Sequence, residues 1–158
     1  MGSPMADDEQ LLDTWRIHAR VVLYVLGAAD PAALTAKPLK GRTAGEQFAH
    51  LHNVRLMWLG SAAPDLGEGL VKLVKEDAGD VATLRAALVA SGERVEALVA
   101  RALETGRVKG FKPHPAAFVG YLVSHVSYHQ GDIGVRLAEA GAPLPKKVSF
   151  GMWEWGVR

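Results

Sequence analysis

Cysteine is absent from this chain, and that absence excludes disulfide staples, thiolate metal ligands and a cysteine nucleophile together. Any metal held here is held through nitrogen and oxygen. An excess of either charge is also missing. The 18 Lys and Arg against 17 Asp and Glu leave a net +1, too little for a broad field toward nucleic acid or anionic lipid. The longest apolar stretch, Val21 to Ala29, falls short of the roughly 20 residues a bilayer span requires. No basic segment precedes it as a secretory signal would need. The expectation is a cytoplasmic protein with no membrane and no nucleic-acid partner. Strand-like alternation between hairpin turns, internal repeats, a phosphate-binding glycine loop and a Ser-His-Asp signature are missing too. Phosphoryl transfer and serine hydrolysis therefore lack support.

The 158 residues that remain to be explained are 49% hydrophobic and 22% charged, which suits one well-buried globular domain. Met1-Gly2-Ser3-Pro4 ahead of Met5 reads as an expression-vector remnant, so the domain is taken as residues 5–158. From Asp7 to Ala29, the apolar residues Leu12, Trp15, Ala19, Val22 and Leu26 recur in steps of three and four, and acidic residues open the run. A first helix is expected there, ended by Asp30-Pro31 because a residue before proline leaves the α region. Thr43-Ala44-Gly45-Glu46 is a capping box, and predicts a second helix over 43–60. A third over 80–105 starts at an Asp80 cap and carries Val81, Leu84, Leu88, Ser91, Val95, Leu98 and Ala102 inward. A fourth over 115–140 opens after His114 with Pro115 and closes at Gly141.

Four amphipathic helices predict an all-α fold, a four-helix bundle whose first two connections are long enough to cross over. The second connection, Asp65 to Gly79, is expected to hold a short helical turn around Leu70 to Lys75. The tail from Val148 to Trp155 is too apolar for a free end. It is expected to pack back on the bundle, with Trp153 and Trp155 walling a substrate pocket if they cover its mouth.

The chemistry concentrates in His125-Val126-Ser127-Tyr128-His129. Positions four apart on a helix lie roughly 40° and 6 Å from each other, so two imidazoles at that spacing can grip one ion. A catalytic site of the zinc type commonly takes three protein ligands and leaves one position open. His50 and His52 on the second helix offer the third. They lie about 200° apart and cannot share a site, and periodicity alone does not choose between them. His18 falls near the bundle interior and reads as a core histidine, His114 as a helix-start residue. Tyr121 stands one turn before His125 and Asp132 almost one turn after His129, so either is a candidate helper. Asp132 could orient a ligand's second nitrogen or remain an exposed helix charge.

The segment Thr43-Ala44-Gly45-Glu46-Gln47-Phe48-Ala49-His50-Leu51, with Trp58 after it, and the later run from His125 through Gln130-Gly131-Asp132-Ile133 resemble the DinB/YfiT-like superfamily. That resemblance implies a metal-binding four-helix bundle in which one histidine of the second helix joins the pair on the last long helix. Residue by residue it selects His50, His125 and His129 as metal ligands, leaves His52 out, and implies zinc or nickel as the divalent ion. Many relatives carry Arg and Gln where this chain has Gln130 and Asp132.

Two classes of function follow. One is a metal-dependent enzyme, a hydrolase or a low-molecular-weight-thiol S-transferase, in which a metal-bound water or thiol acts on a small-molecule substrate. The resemblance implies thiols such as bacillithiol or mycothiol, and a homodimer. The other is a non-catalytic, stress-response bundle that binds a metal or ligand, which a closed coordination shell completed by Asp132 or His18 would favour.

Overall fold

A computed structural model describes residues 5–158, so the Met1–Pro4 reading lies outside the described residues. These contain helices, turns and loops and no strand. Helix α1 spans Asp7–Ala28, α2 Ala44–Ala62, α3 Val81–Thr105, α4 Pro115–Glu139 and the short α5 Lys146–Gly151. Among the described residues no helix is long and apolar enough to cross a membrane.

The helix ends follow local chemistry. In α2, the Thr43 hydroxyl accepts from the Glu46 amide at 3.1 Å and the Glu46 carboxylate accepts from the Thr43 amide at 2.8 Å, satisfying two amides that the first turn would leave bare. The Asp80 carboxylate caps α3 through the Thr83 amide, and Gly106 ends it in the left-handed conformation, φ +77°. His114 caps α4, its Nδ1 accepting from the Ala117 amide at 3.1 Å. Helix α2 runs two residues beyond the expected Gly60, since only Ala62 meets the sharp turn into Pro64.

Helices α1 and α2, consecutive in sequence, each pack on α3 and α4 rather than chiefly on one another. The chain between them therefore crosses over, by a loop holding a 3-10 turn at Pro31–Thr35. The interior is layered. One apolar layer gathers Val22, Leu26, Leu51, Leu88, Val126 and Ile133, and a second gathers Trp15, Leu59, Val95, Phe118 and Leu122. Between them lies a polar layer of His18, Arg55 and Ser91, all buried. Arg55 donates to the Leu88 carbonyl at 2.9 Å and to the Ser91 hydroxyl, and its guanidinium lies 5.2 Å from the centre of the Trp15 ring. Burial pushes it down to about 10, still a cation at neutral pH.

The second connection departs from expectation. Its 3-10 turns lie at Pro64–Gly67 and Lys75–Gly79, and in the Leu70 to Lys75 stretch expected to turn, residues 70–74 form no helical turn. The Asn53 side chain holds it there, donating to the Leu73 carbonyl and accepting from the Leu73 amide, both at 2.9 Å. One helix side chain thus imitates a strand partner and satisfies both backbone groups. At the N-terminus of α2 the contact is closer still: a Cβ built on Gly45 would stand 1.9 Å from the Ala78 carbonyl oxygen, so only glycine admits this approach.

The tail packs back as expected, against α1. The Gly151 backbone sits on the Tyr24 ring, and the Arg158 guanidinium stacks over that ring at 4.1 Å.

Candidate metal centre

Helix α4 projects His125 and His129 from one face, and α2, packed beside it, projects His50 toward them. The ring centres stand 5.3 Å apart for His50 and His125, and 4.7 Å for both His50 and His129 and His125 and His129. One nitrogen from each ring falls within 4.8 Å of the other two. The group gains no fourth His, Asp or Glu from the described residues.

Gln47, one turn before His50, fixes the orientation of His129. Its amide nitrogen donates to Asp132 Oδ2 at 2.7 Å, which leaves its carbonyl oxygen turned to His129 Nδ1 at 3.1 Å. An amide oxygen only accepts, so His129 carries its hydrogen on Nδ1 and keeps the Nε2 lone pair free. That is the tautomer a metal ligand needs, held by an outer partner of the kind that tunes metal-binding histidines. The hydrogen-bonded path from Asp132 to His129 thus runs through Gln47, and Arg136 Nε holds the same carboxylate oxygen at 3.3 Å.

All three imidazoles are neutral at pH 7. Burial pushes His50 down to about 4, with repulsion from Arg42, His129 and His125 adding to it. Burial and Arg42 lower His125. Burial, His125 and Arg42 lower His129, partly opposed by Asp132.

The sequence matches the DinB family over residues 1–150. The chain belongs to the DinB family. No curated protein and no solved structure matches it.

The other histidines of this DinB chain stand apart from the cluster. His52 is buried and its Nε2 meets the Val71 carbonyl at 2.9 Å, so it donates to a loop backbone. His18 lies in the polar layer, pushed down to about 3 by burial and then by Arg55. Tyr121 stacks its ring beside His125 at 6.5 Å as part of an aromatic group with Trp58, Phe111 and Phe118. Its hydroxyl has no hydrogen-bond partner among the described residues.

A cleft of about 560 Å³ opens on His50, between α2 and the 72–75 segment that leads into the second 3-10 turn, with Arg42, Lys72 and Lys75 against the single acid Glu46. Trp153 and Trp155 are not in its wall. They line a separate cavity between α1, α4 and the tail, so the expectation that they cover the mouth of this site fails, because the tail is anchored on Tyr24. Sequence reasoning missed Gln47 and Arg42. The signal for Gln47 was a polar residue three before His50 on an otherwise inward face.

Proposed function

We propose that this chain is a metal-dependent enzyme acting on a small anionic molecule, by hydrolysis or by transfer of a low-molecular-weight thiol. The scaffold in this reading is a single four-helix-bundle domain. The observation that carries the proposal is the convergence of His50, His125 and His129, one nitrogen each within 4.8 Å of the others.

The residues suit a divalent cation. Three neutral imidazoles favour zinc, nickel or a similar ion over magnesium or calcium, and the Gln47 contact holds one of them in the binding tautomer. A divalent ion there supplies Lewis-acid activation of water or a thiol near neutral pH. The chain's own part is to bind and orient. Arg42, Lys72 and Lys75 give the adjoining cleft a positive balance that suits a carboxylate-bearing substrate, and Tyr121 and Trp58 supply an aromatic wall beside His125. Three protein ligands rather than four support the catalytic reading over the structural one.

The test is elemental analysis of protein purified without a nickel column, followed by a screen of small thiols with electrophilic acceptors and of hydrolysable esters and amides. About one divalent ion per chain, and turnover lost on chelation, are expected. Protein that takes up no divalent ion on reconstitution would refute the proposal.

A further inference from the structure

On α1, Arg20, Leu23, Tyr24 and Gly27 recur at intervals of three and four, which sets them in one stripe along the helix. That stripe lines a cleft of about 570 Å³, walled also by Arg85 of α3 and by Val157 and Arg158 of the tail. Three arginines border the cleft and no acid does. It shares no residue with the cleft at His50.

The three cations are held in place and left without counter-charge. Arg16, Arg101 and Arg136 each grip a carboxylate, whereas Arg20, Arg85 and Arg158 form no ion pair with a side chain among the described residues. Each instead donates to a main-chain oxygen: Arg20 to Arg158 at 2.9 Å, Arg85 to Leu23 at 3.2 Å, and Arg158 to Gly151 at 3.1 Å. A guanidinium carries five N–H donors, so most of each fork remains free, and Arg20 and Arg85 are exposed. Gly27 makes the room, since a Cβ there would stand 2.8 Å from Arg85 Nη2. Like charges set side by side repel until an anion enters. Should the chain end at Arg158, its carboxylate offsets one of the three charges and two remain.

We propose that this cleft is a second binding site, for a phosphate monoester. Such a group concentrates nearly two negative charges on three oxygens, enough to accept from several forks at once, whereas a carboxylate offers one charge and two oxygens. Guanidinium forks match phosphate geometry and bind it through charge-assisted pairs of hydrogen bonds. Leu23 and the exposed Val157 give the organic part of the ester an apolar edge. A soluble phosphate ester and the headgroup of phosphatidic acid share this chemistry.

The probes are phenyl phosphate, benzoate, and phosphatidylcholine vesicles with and without phosphatidic acid, each added to the full chain. Affinity is read by calorimetry or co-sedimentation, and the arginine Nε–H resonances by NMR. A soluble ester as the source predicts saturable binding of phenyl phosphate, at least about tenfold tighter than benzoate, with shifts at Arg20, Arg85 and Arg158. A lipid source predicts vesicle binding that requires phosphatidic acid, with no binding of phenyl phosphate. In either case Arg20→Gln and Arg85→Gln should each weaken the complex about tenfold, whereas Arg107→Gln, at an exposed arginine outside the cleft, should not. Chelating the divalent metal should leave binding intact. Gly27→Ala keeps every charge and moves only the head of Arg85, so a loss of about threefold there separates a built site from an excess of charge. The proposal is overturned if neither probe binds, if benzoate binds as well as phenyl phosphate, or if Arg107→Gln costs as much as Arg85→Gln. It is equally overturned if Gly27→Ala has no effect, or if the shifts fall on Arg42 instead, which would move the anion to the cleft at His50.

Discussion

The three-histidine centre and the polar layer between the apolar layers set the same residue type in two different surroundings. In both, burial depresses the imidazole. At the centre, three rings converge, and Gln47 fixes one of them. In the layer, His18 stands beside Arg55, a buried cation with no carboxylate, and neither shares a focus with another ligand. Burial makes a histidine neutral, but convergence brings its nitrogen within 4.8 Å of two others. A depressed imidazole alone is therefore a poor guide to function.

The largest effect that would break this contrast is loss of a convergent ring. His125→Ala or His129→Ala should remove nearly all bound divalent metal, whereas His18→Leu and His52→Ala should keep it, by elemental analysis of reconstituted protein. Full occupancy in His125→Ala would erase the distinction. Next in size is the outer partner. Gln47→Leu should weaken metal binding roughly 10- to 100-fold with much less change in the thermal midpoint of the metal-free protein. An unchanged affinity would mean that His129 needs no fixing.

A third measurement concerns protons. An unfolded histidine titrates near 6.5, whereas folded His18 titrates at about 3. Within that window the unfolded chain binds the proton and the folded chain does not, so His18 contributes stability that is lost as pH falls from about 6.5 toward 3. His18→Leu should flatten the decline between pH 7 and 4.5 in denaturant titrations of metal-free protein, and an equal slope would show that His18 is protonated in place. The smallest effect is expected at Arg55. Its buried charge has no acid to offset desolvation, so Arg55→Met should change stability by less than about 1.5 kcal/mol in either direction. A loss of 3 kcal/mol or more would show that the layer holds the fold together rather than being tolerated by it.

Much of the scaffold could be read from caps and periodicity. Thr43 with Glu46, Asp80 and Gly106 are local signals that act within one turn, and the structure honours each. The choice of His50 over His52 was not local. It depends on how α2 is rotated against α4, which is set by packing residues such as Phe48 and Leu51, and the residues chose only through family resemblance. The Gln47 link joins positions 85 and 82 residues apart, a separation no helical pattern encodes. The irregular 70–74 stretch escaped for the same reason: its partner is the side chain of Asn53. The tryptophans of the tail were read correctly as cover and assigned to the wrong cavity.

The approach of Gly45 to the Ala78 carbonyl has a consequence for how such a chain can diverge. The 3-10 turn pressed against that glycine follows directly on Lys72 to Lys75, the far wall of the cleft at His50. Position 45 therefore gauges the spacing between that wall and α2. A single-base change that turned this glycine into alanine would push the wall outward at its hinge. Divergence in this cleft is therefore left to the lysines, while the spacing itself stays inherited.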